Sequence, residues 1–273
     1  MSRWRTEKRI QTDPQSLGPK VLAAGLWRCA TSSLQIAFET MLNPPLKPSM
    51  HGSYIFTSIP LLKLSVRVTS EIDTQKRQKL LSEIFTGYNA SSDFPGMAFV
   101  DDLIQLYPDM ELVLNKRHSA EAWEKSVKES LRFFSTWWYF GSVCLLPQGY
   151  WHWKLYREYH KLAKRRFGKR VDIWSAEYYE MHNKWVRRLA RANGKQILEW
   201  EPAMGWSPLC EFLDMKMPDG EFPKTNELAE IKELKVLLVV KGIAIWLVVL
   251  VVLSYGWRSI IDKILSCQVI TRD

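Results

Sequence analysis

Twenty consecutive residues near the C-terminal end, Val236 to Tyr255, carry a single charge, Lys241. As a helix rising 1.5 Å per residue such a run is about 30 Å long, the thickness of a bilayer's hydrocarbon core. It is therefore a transmembrane candidate. Lys241 lies close enough to one end to snorkel to the headgroups, and Trp246, Tyr255 and Trp257 offer rings suited to the interfaces. The alternative is a helix buried in the globular core, but a Val/Leu/Ile run without a polar face gives no reason for the short polar tail behind it. At the other end Arg3, Arg5, Lys8 and Arg9 have no apolar run following them, so no secretory signal is expected. These features predict a tail-anchored membrane protein with its main domain facing the cytosol. The expected division is a basic arm over 1–17, a folded domain over 18–227, a helix over 228–257 containing the span at about 236–255, and a short tail over 258–273.

The 273 residues leave ample chain for a real core in front of that helix. Short apolar runs alternate with helical patterns. Lys20 to Ala24 reads as a strand, Thr31 to Leu42 as a helix, and Pro44, Pro45, Pro48 and Pro60 as marks of a loop-rich stretch containing His51. Gln75 to Thr86 reads as an amphipathic helix. Asn89 to Phe94 opens a second unit, with Pro95 in the first turn of a helix running to Leu106. Glu111 to Asn115 is a compact strand, followed by a helix over Ser119 to Phe134 with Ser119 as its cap. Two long helices, Trp153 to Phe167 and Val171 to Asn193, precede a last strand, Gln196 to Trp200. Such alternation predicts an α/β fold whose mostly parallel sheet is covered on both faces.

In such sheets ligands bind beyond the carboxyl ends of the strands. The first strand runs into Gly25-Leu26-Trp27-Arg28-Cys29-Ala30-Thr31-Ser32-Ser33. Backbone N–H groups at the head of the following helix, three hydroxyls and the Arg28 guanidinium form a phosphate-binding set. Against the GxxxxGK[ST] loop, Ala30 replaces the second glycine and Thr31 the lysine, while Ser32 fills the hydroxyl position. The missing lysine speaks against a nucleotide kinase or triphosphatase.

With these residues the chain resembles the PAPS-dependent sulfotransferases, particularly the fungal-rich family of short sulfotransferase-like proteins with a P-loop domain and a C-terminal hydrophobic segment. The resemblance spans about Lys20 to Glu227. It rests on the ordered set of Trp27 to Ser33, Gly87-Tyr88-Asn89-Ala90 with Asp93-Phe94-Pro95, Tyr107-Pro108-Asp109, Arg117 with Trp123 and Ser126, and Glu199 to Glu201 with Gly205 to Leu213. Cys29 stands where the family has a hydroxyl and Ala30 where it has glycine. The resemblance implies a three-layer P-loop sulfotransferase fold and transfer of a sulfuryl group from PAPS to a hydroxyl, without a metal. It implies that Arg28, Cys29, Ala30, Thr31, Ser32 and Ser33 hold the 5′-phosphate end of the donor, and that Arg117 and Ser126 hold its 3′-phosphate. The Arg117 to Ser126 interval is nine residues where the family has eight, which points to a one-residue insertion or a shift of role to His118.

Arg28 is also the candidate for stabilising charge on the transferring group. His51 is the candidate general base, since an imidazole titrates near 6.5, and Asp93 is expected to orient or replace it; the alternatives are a solvated loop histidine and a helix cap. His118, His152, His160 and His182 show no partner at metal-ligand spacing, so no metal is expected. The aromatic segment Leu131 to Trp153 is either a lid for a small lipophilic acceptor, an interfacial segment on the bilayer, or in part core. The basic stretch Arg157 to Arg170 reads as a solvated face or an anionic-lipid contact. No recognition module accompanies the net charge of +9, so nucleic acid is not an expected partner. Two rivals keep the fold: a protein that has lost PAPS chemistry and runs another biosynthetic step, and a non-catalytic membrane scaffold.

Overall fold

A computed structural model describes residues 18–41, 48–225 and 227–270. The expected basic arm over 1–17, Pro44, Pro45 and the last three residues of the tail lie outside the described residues. In chain order the elements are β1 (Val21–Ala23), α1 (Thr31–Met41), β2 (Ser49–Met50), α2 (Gly52–Thr57), α3 (Ile59–Ser70), α4 (Thr74–Phe85), β3 (Ala90–Ser92) and α5 (Val100–Leu106). There follow β4 (Glu111–Asn115), α6 (Ala120–Ser130), α7 (Trp137–Val143), α8 (Pro147–Phe167), α9 (Ala176–Ala192), β5 (Ile197–Trp200), α10 (Ser207–Phe212) and α11 (Glu227–Ile270).

The five strands form one parallel sheet in the order β2-β3-β1-β4-β5. Because side chains alternate across a strand, both faces must be apolar when both are covered. On one face Val21, Ala23 and Val113 join Leu34, Phe38 and Trp200 under α1 and α10. Leu22, Leu112 and Leu114 go to the opposite face, into the larger core with α3, α6, α8 and α9. The result is the expected three-layer α/β fold. β1 lies between β3 and β4, so the chain leaves it in one direction and returns to its other side at β4. This switch point opens a crevice at the carboxyl ends of those two strands.

The described part of the stretch expected to be loop-rich, 48–60, is instead largely helical. α2 and α3 occupy it, and Pro60 sits in the first turn of α3, where a missing N–H costs nothing. Pro95 likewise precedes only a short 3₁₀ turn over Gly96–Ala98, with α5 beginning at Val100. The α9 helix starts at Ala176 rather than Val171, because the Ser175 side chain accepts the Tyr178 N–H and caps it there. α8 reaches back to Pro147 and packs along α3.

α11 is one continuous helix of 44 residues. Its early residues Leu234 and Leu238 are buried against the domain, whereas Val240, Leu247, Val251 and Leu253 are exposed. The stretch Leu228–Ile261 is long and apolar enough to cross a membrane, and only 11% of its most apolar window is buried. That exposure excludes the alternative of a core helix.

Candidate functional site

The loop between β1 and α1 is fixed from outside itself, carbonyl by carbonyl. His182 Nε2 donates to the Ala24 carbonyl at 2.8 Å, and Trp123 Nε1 to that of Trp27 at 2.8 Å. Arg117 Nη1 donates to the Arg28 carbonyl at 3.0 Å, and Asn115 Nδ2 to that of Cys29 at 2.9 Å. Asn115 also accepts the Gly25 N–H at 2.7 Å, so one fully buried amide ties both ends of the turn to the end of β4. Gly25 is required here: a Cβ would lie 1.9 Å from the Asn115 carbonyl oxygen. Burial pushes the His182 imidazole down to about 4, which keeps it neutral and donating.

Within this frame Arg28 (φ 66°) and Ala30 (φ 58°) both adopt the left-handed region, on either side of Cys29. Alternating left- and right-handed residues turn successive N–H groups to one side and make an anion-binding concavity. Ala30 holds without strain relief a conformation that glycine adopts freely. Its carbonyl accepts the Leu34 N–H and starts α1, whose opening turn has donors without intrahelical acceptors.

Two cavities meet at Arg28, which lines both. The first, of about 1040 Å³ including its open mouth, is bounded by Cys29, Ala30, Ser33, Lys116, Arg117, His118, Glu201, Lys224 and Thr225. With Arg28 it presents four cations to one carboxylate among the described residues, a field that suits phosphates. Lys116 is partly committed to Glu199 at 2.7 Å. Glu199 is also clamped by Arg187, whose hydrogen bonds hold its carboxyl down at about 2.

The second cavity, of about 830 Å³, has a polar floor and apolar walls. Thr31, Ser32, His51, Ser53 and Asp93 form the floor. Nδ1 of His51 accepts the Ser53 N–H at 3.1 Å, so the ring proton of the neutral form resides on Nε2. Nε2 faces Thr31 Oγ1 at 3.2 Å, Ser32 Oγ at 3.4 Å and Asp93 Oδ2 at 3.5 Å. Asp93 is held at φ 74°, and Gly52 makes room for its carboxylate, since a Cβ there would be 2.7 Å from Oδ2. The walls carry Phe56, Phe134 and Tyr156, with the Tyr156 ring nearly parallel to both phenylalanines at 6.3 Å. Burial, with Asp93 nearby, pushes the Tyr156 phenol well up, so it stays protonated. Ile231, Leu234 and Glu230 of α11 complete the wall.

The sequence-named residues thus separate into two groups. Thr31, Ser32, His51 and Asp93 gather at one cavity, while Cys29, Ala30, Ser33 and Arg117 gather at the other. His51 is 5% exposed and caps α2, so it is not a solvated loop histidine, and Asp93 caps no helix. Cys29 is buried at 1% exposure. Ser126 lines neither cavity; its Oγ accepts from Arg28 Nε at 3.3 Å. Trp123 and Ser126 are one helical turn apart on α6 and reach successive residues of the loop, Trp27 and Arg28. Sequence reasoning missed Asn115 and His182. A polar residue closing an apolar strand beside the loop is the signal that marks Asn115. Among the described residues, no group of three His, Cys, Asp or Glu is placed to hold a metal ion.

A family model described as a sulfotransferase domain matches residues 20–231. The chain is 29% identical over 216 residues to Ava biosynthesis cluster protein M of Aspergillus versicolor, an alignment covering 75% of this chain and 79% of that one. The matched region begins just before β1 and ends in the first turns of α11, at the residues that close the second cavity. This chain belongs to the sulfotransferase-domain family.

Proposed function

We propose that the protein transfers a sulfuryl group from PAPS to a hydroxyl of a small lipophilic acceptor, as a step of secondary metabolism. The observation that carries this reading is the meeting of a cationic cavity and an aromatic one at a single guanidinium, Arg28. When bound, PAPS supplies a sulfuryl group already activated on a phosphate leaving group. In this reading Ala30, Thr31, Ser32, Ser33 and the N–H groups of the loop receive its 5′-phosphate end, with Arg117 and Lys224 on the 3′-phosphate. Arg28 supplies fixed charge between the two cavities, held in place by Ser126 and by the ties on its own carbonyl. Cys29 contributes its backbone rather than its thiol.

The acceptor hydroxyl would lie against the His51–Asp93 pair. Since Nδ1 of His51 is already an acceptor and its Nε2 proton faces Asp93, the carboxylate is the better-placed group to take the proton, with His51 orienting it. Phe56, Phe134 and Tyr156 exclude water and select an apolar, ring-bearing acceptor. The biosynthesis-cluster relative supports a biosynthetic role. α11 would anchor the domain, over residues 18–227, to a membrane from the cytosolic side, and its first turns form part of the cavity itself.

The test is transfer from radiolabelled PAPS to a panel of lipophilic phenols and alcohols, using full-length protein in detergent. Labelled product that disappears in Arg28→Ala supports the reading. No product with any acceptor, from protein that still binds the donor, favours a different group transfer; no donor binding favours a scaffold that kept the shell.

A further inference from the structure

α7 is joined to the anchor helix along a length that places it at the bilayer. Trp246 Nε1 donates to the Gly141 carbonyl at 2.8 Å, and a Cβ on Gly242 would lie 2.0 Å from the Ser142 carbonyl oxygen, so the two backbones touch. The apolar stretch Leu228–Ile261 has 34 residues, about 51 Å of helix, which exceeds a hydrocarbon core of about 30 Å. Some of it must stand outside, and two limits bracket the choice. If hydrocarbon begins at Val236, Gly242 and Trp246 lie about 9 and 15 Å deep and carry α7 into the acyl chains. If the span is about 242–261, Lys241 sits among the headgroups and the Trp246 contact lies about 6 Å into the hydrocarbon. In both, α7 is at or under the membrane surface.

The side chains of α7 fit that position. Trp138 is 87% exposed and Trp137 65%, two adjacent indole rings open to the surroundings at the start of α7. Tryptophan is the residue most at home in the headgroup boundary. Arg157, whose guanidinium lies 5.4 Å from the Trp137 ring, puts positive charge beside the pair, and Lys235 adds a second cation over Phe133 at 5.4 Å.

We propose that the Trp137–Trp138 end of α7 is a second membrane contact, seated in the headgroup and acyl boundary of the leaflet that α11 enters. The register of the span is then about 242–261 rather than 236–255. Leu131 and Phe134, which lead into α7, and Leu234, two turns before Gly242 on α11, belong to the wall of the aromatic cavity. Resting on the proposed function, an acceptor would reach it from the leaflet rather than from water.

The experiment reconstitutes the full chain into phosphatidylcholine–phosphatidylserine vesicles with plain or brominated acyl chains and compares tryptophan fluorescence of the wild type and Trp138→Phe. The emission that Trp138 contributes is expected to fall by at least about half in brominated lipid and to resist aqueous iodide. Trp137→Phe gives the same comparison at a second site. Emission indifferent to bromine overturns the proposal, whether iodide quenches it, as for a water-exposed tip, or does not, as for a tip covered by protein. Alkaline carbonate extraction of the same vesicles reports separately whether α11 spans the bilayer, and extracted protein overturns the proposal at its base. No activity is read, so loss of sulfuryl transfer leaves the outcome unaffected.

Discussion

Asn115→Ala is the substitution whose effect follows most directly from the site. The Asn115 side chain is fully buried and makes two hydrogen bonds, accepting from Gly25 N–H and donating to the Cys29 carbonyl. Removing it strands both partners, and each buried group left unpaired costs about 1–3 kcal/mol. With partial relaxation of the loop, a loss near 3 kcal/mol corresponds to a Tm lower by roughly 6–12 °C in a domain of this size. Asn115→Asp keeps the acceptor for Gly25 but turns a carboxylate oxygen onto the Cys29 carbonyl, so it should be no milder. The assay is thermal unfolding of full-length protein in detergent, followed by near-UV circular dichroism, which is dominated by the packed aromatic rings of the domain, α11 contributing only Trp246, Tyr255 and Trp257. Binding of 3′-phosphoadenosine 5′-phosphate should weaken in parallel, because the loop loses its fixed shape. A Tm within about 2 °C of wild type for both variants would refute the claim that this amide holds the loop.

Asp93→Asn should lower kcat by about 10²–10⁴ with donor affinity retained, and by more than His51→Gln does; the reverse order in steady-state kinetics would return the base role to the imidazole. Ala30→Gly relieves a left-handed alanine that costs roughly 1–2 kcal/mol, so calorimetry should show tighter binding of the donor product, and weaker binding would contradict the loop geometry. Burial lowers His152 to about 3 and His160 and His182 to about 4, each below the ordinary 6.5. The unfolded chain therefore takes up protons first, and stability should be complete above pH 6.5 and fall as pH drops from there toward 4. Denaturant midpoints flat between pH 7 and 5 would contradict this.

The sheet was legible because parallel strands buried on both faces must be short apolar runs. Leu112-Val113-Leu114 and Val21-Leu22-Ala23 satisfy that on sight. β2 was not legible: two residues, Ser49 and Met50, have no period to read, and only pairing with β3 makes them a strand. α2 and α3 hid behind Pro48 and Pro60, since a proline at a helix start looks in sequence like a proline in a loop. At the site the candidate side chains Arg28, Thr31, Ser32 and Ser33 could be named from the loop itself. Their supports could not, because Asn115, Trp123 and His182 act on backbone carbonyls 86, 96 and 158 residues away, and a carbonyl leaves no mark in sequence. Arg117 and Ser126 were named together, but only the structure shows that they meet at Arg28 from two sides.

The central claim is that the turn after β1 is a seat for an anionic nucleotide, and isothermal titration of full-length protein with 3′-phosphoadenosine 5′-phosphate tests it most directly. One molecule per chain should bind, with affinity falling steeply in Arg28→Ala and as salt is raised. A folded protein that takes up no nucleotide, or one that binds it equally well without the Arg28 guanidinium, would contradict the account.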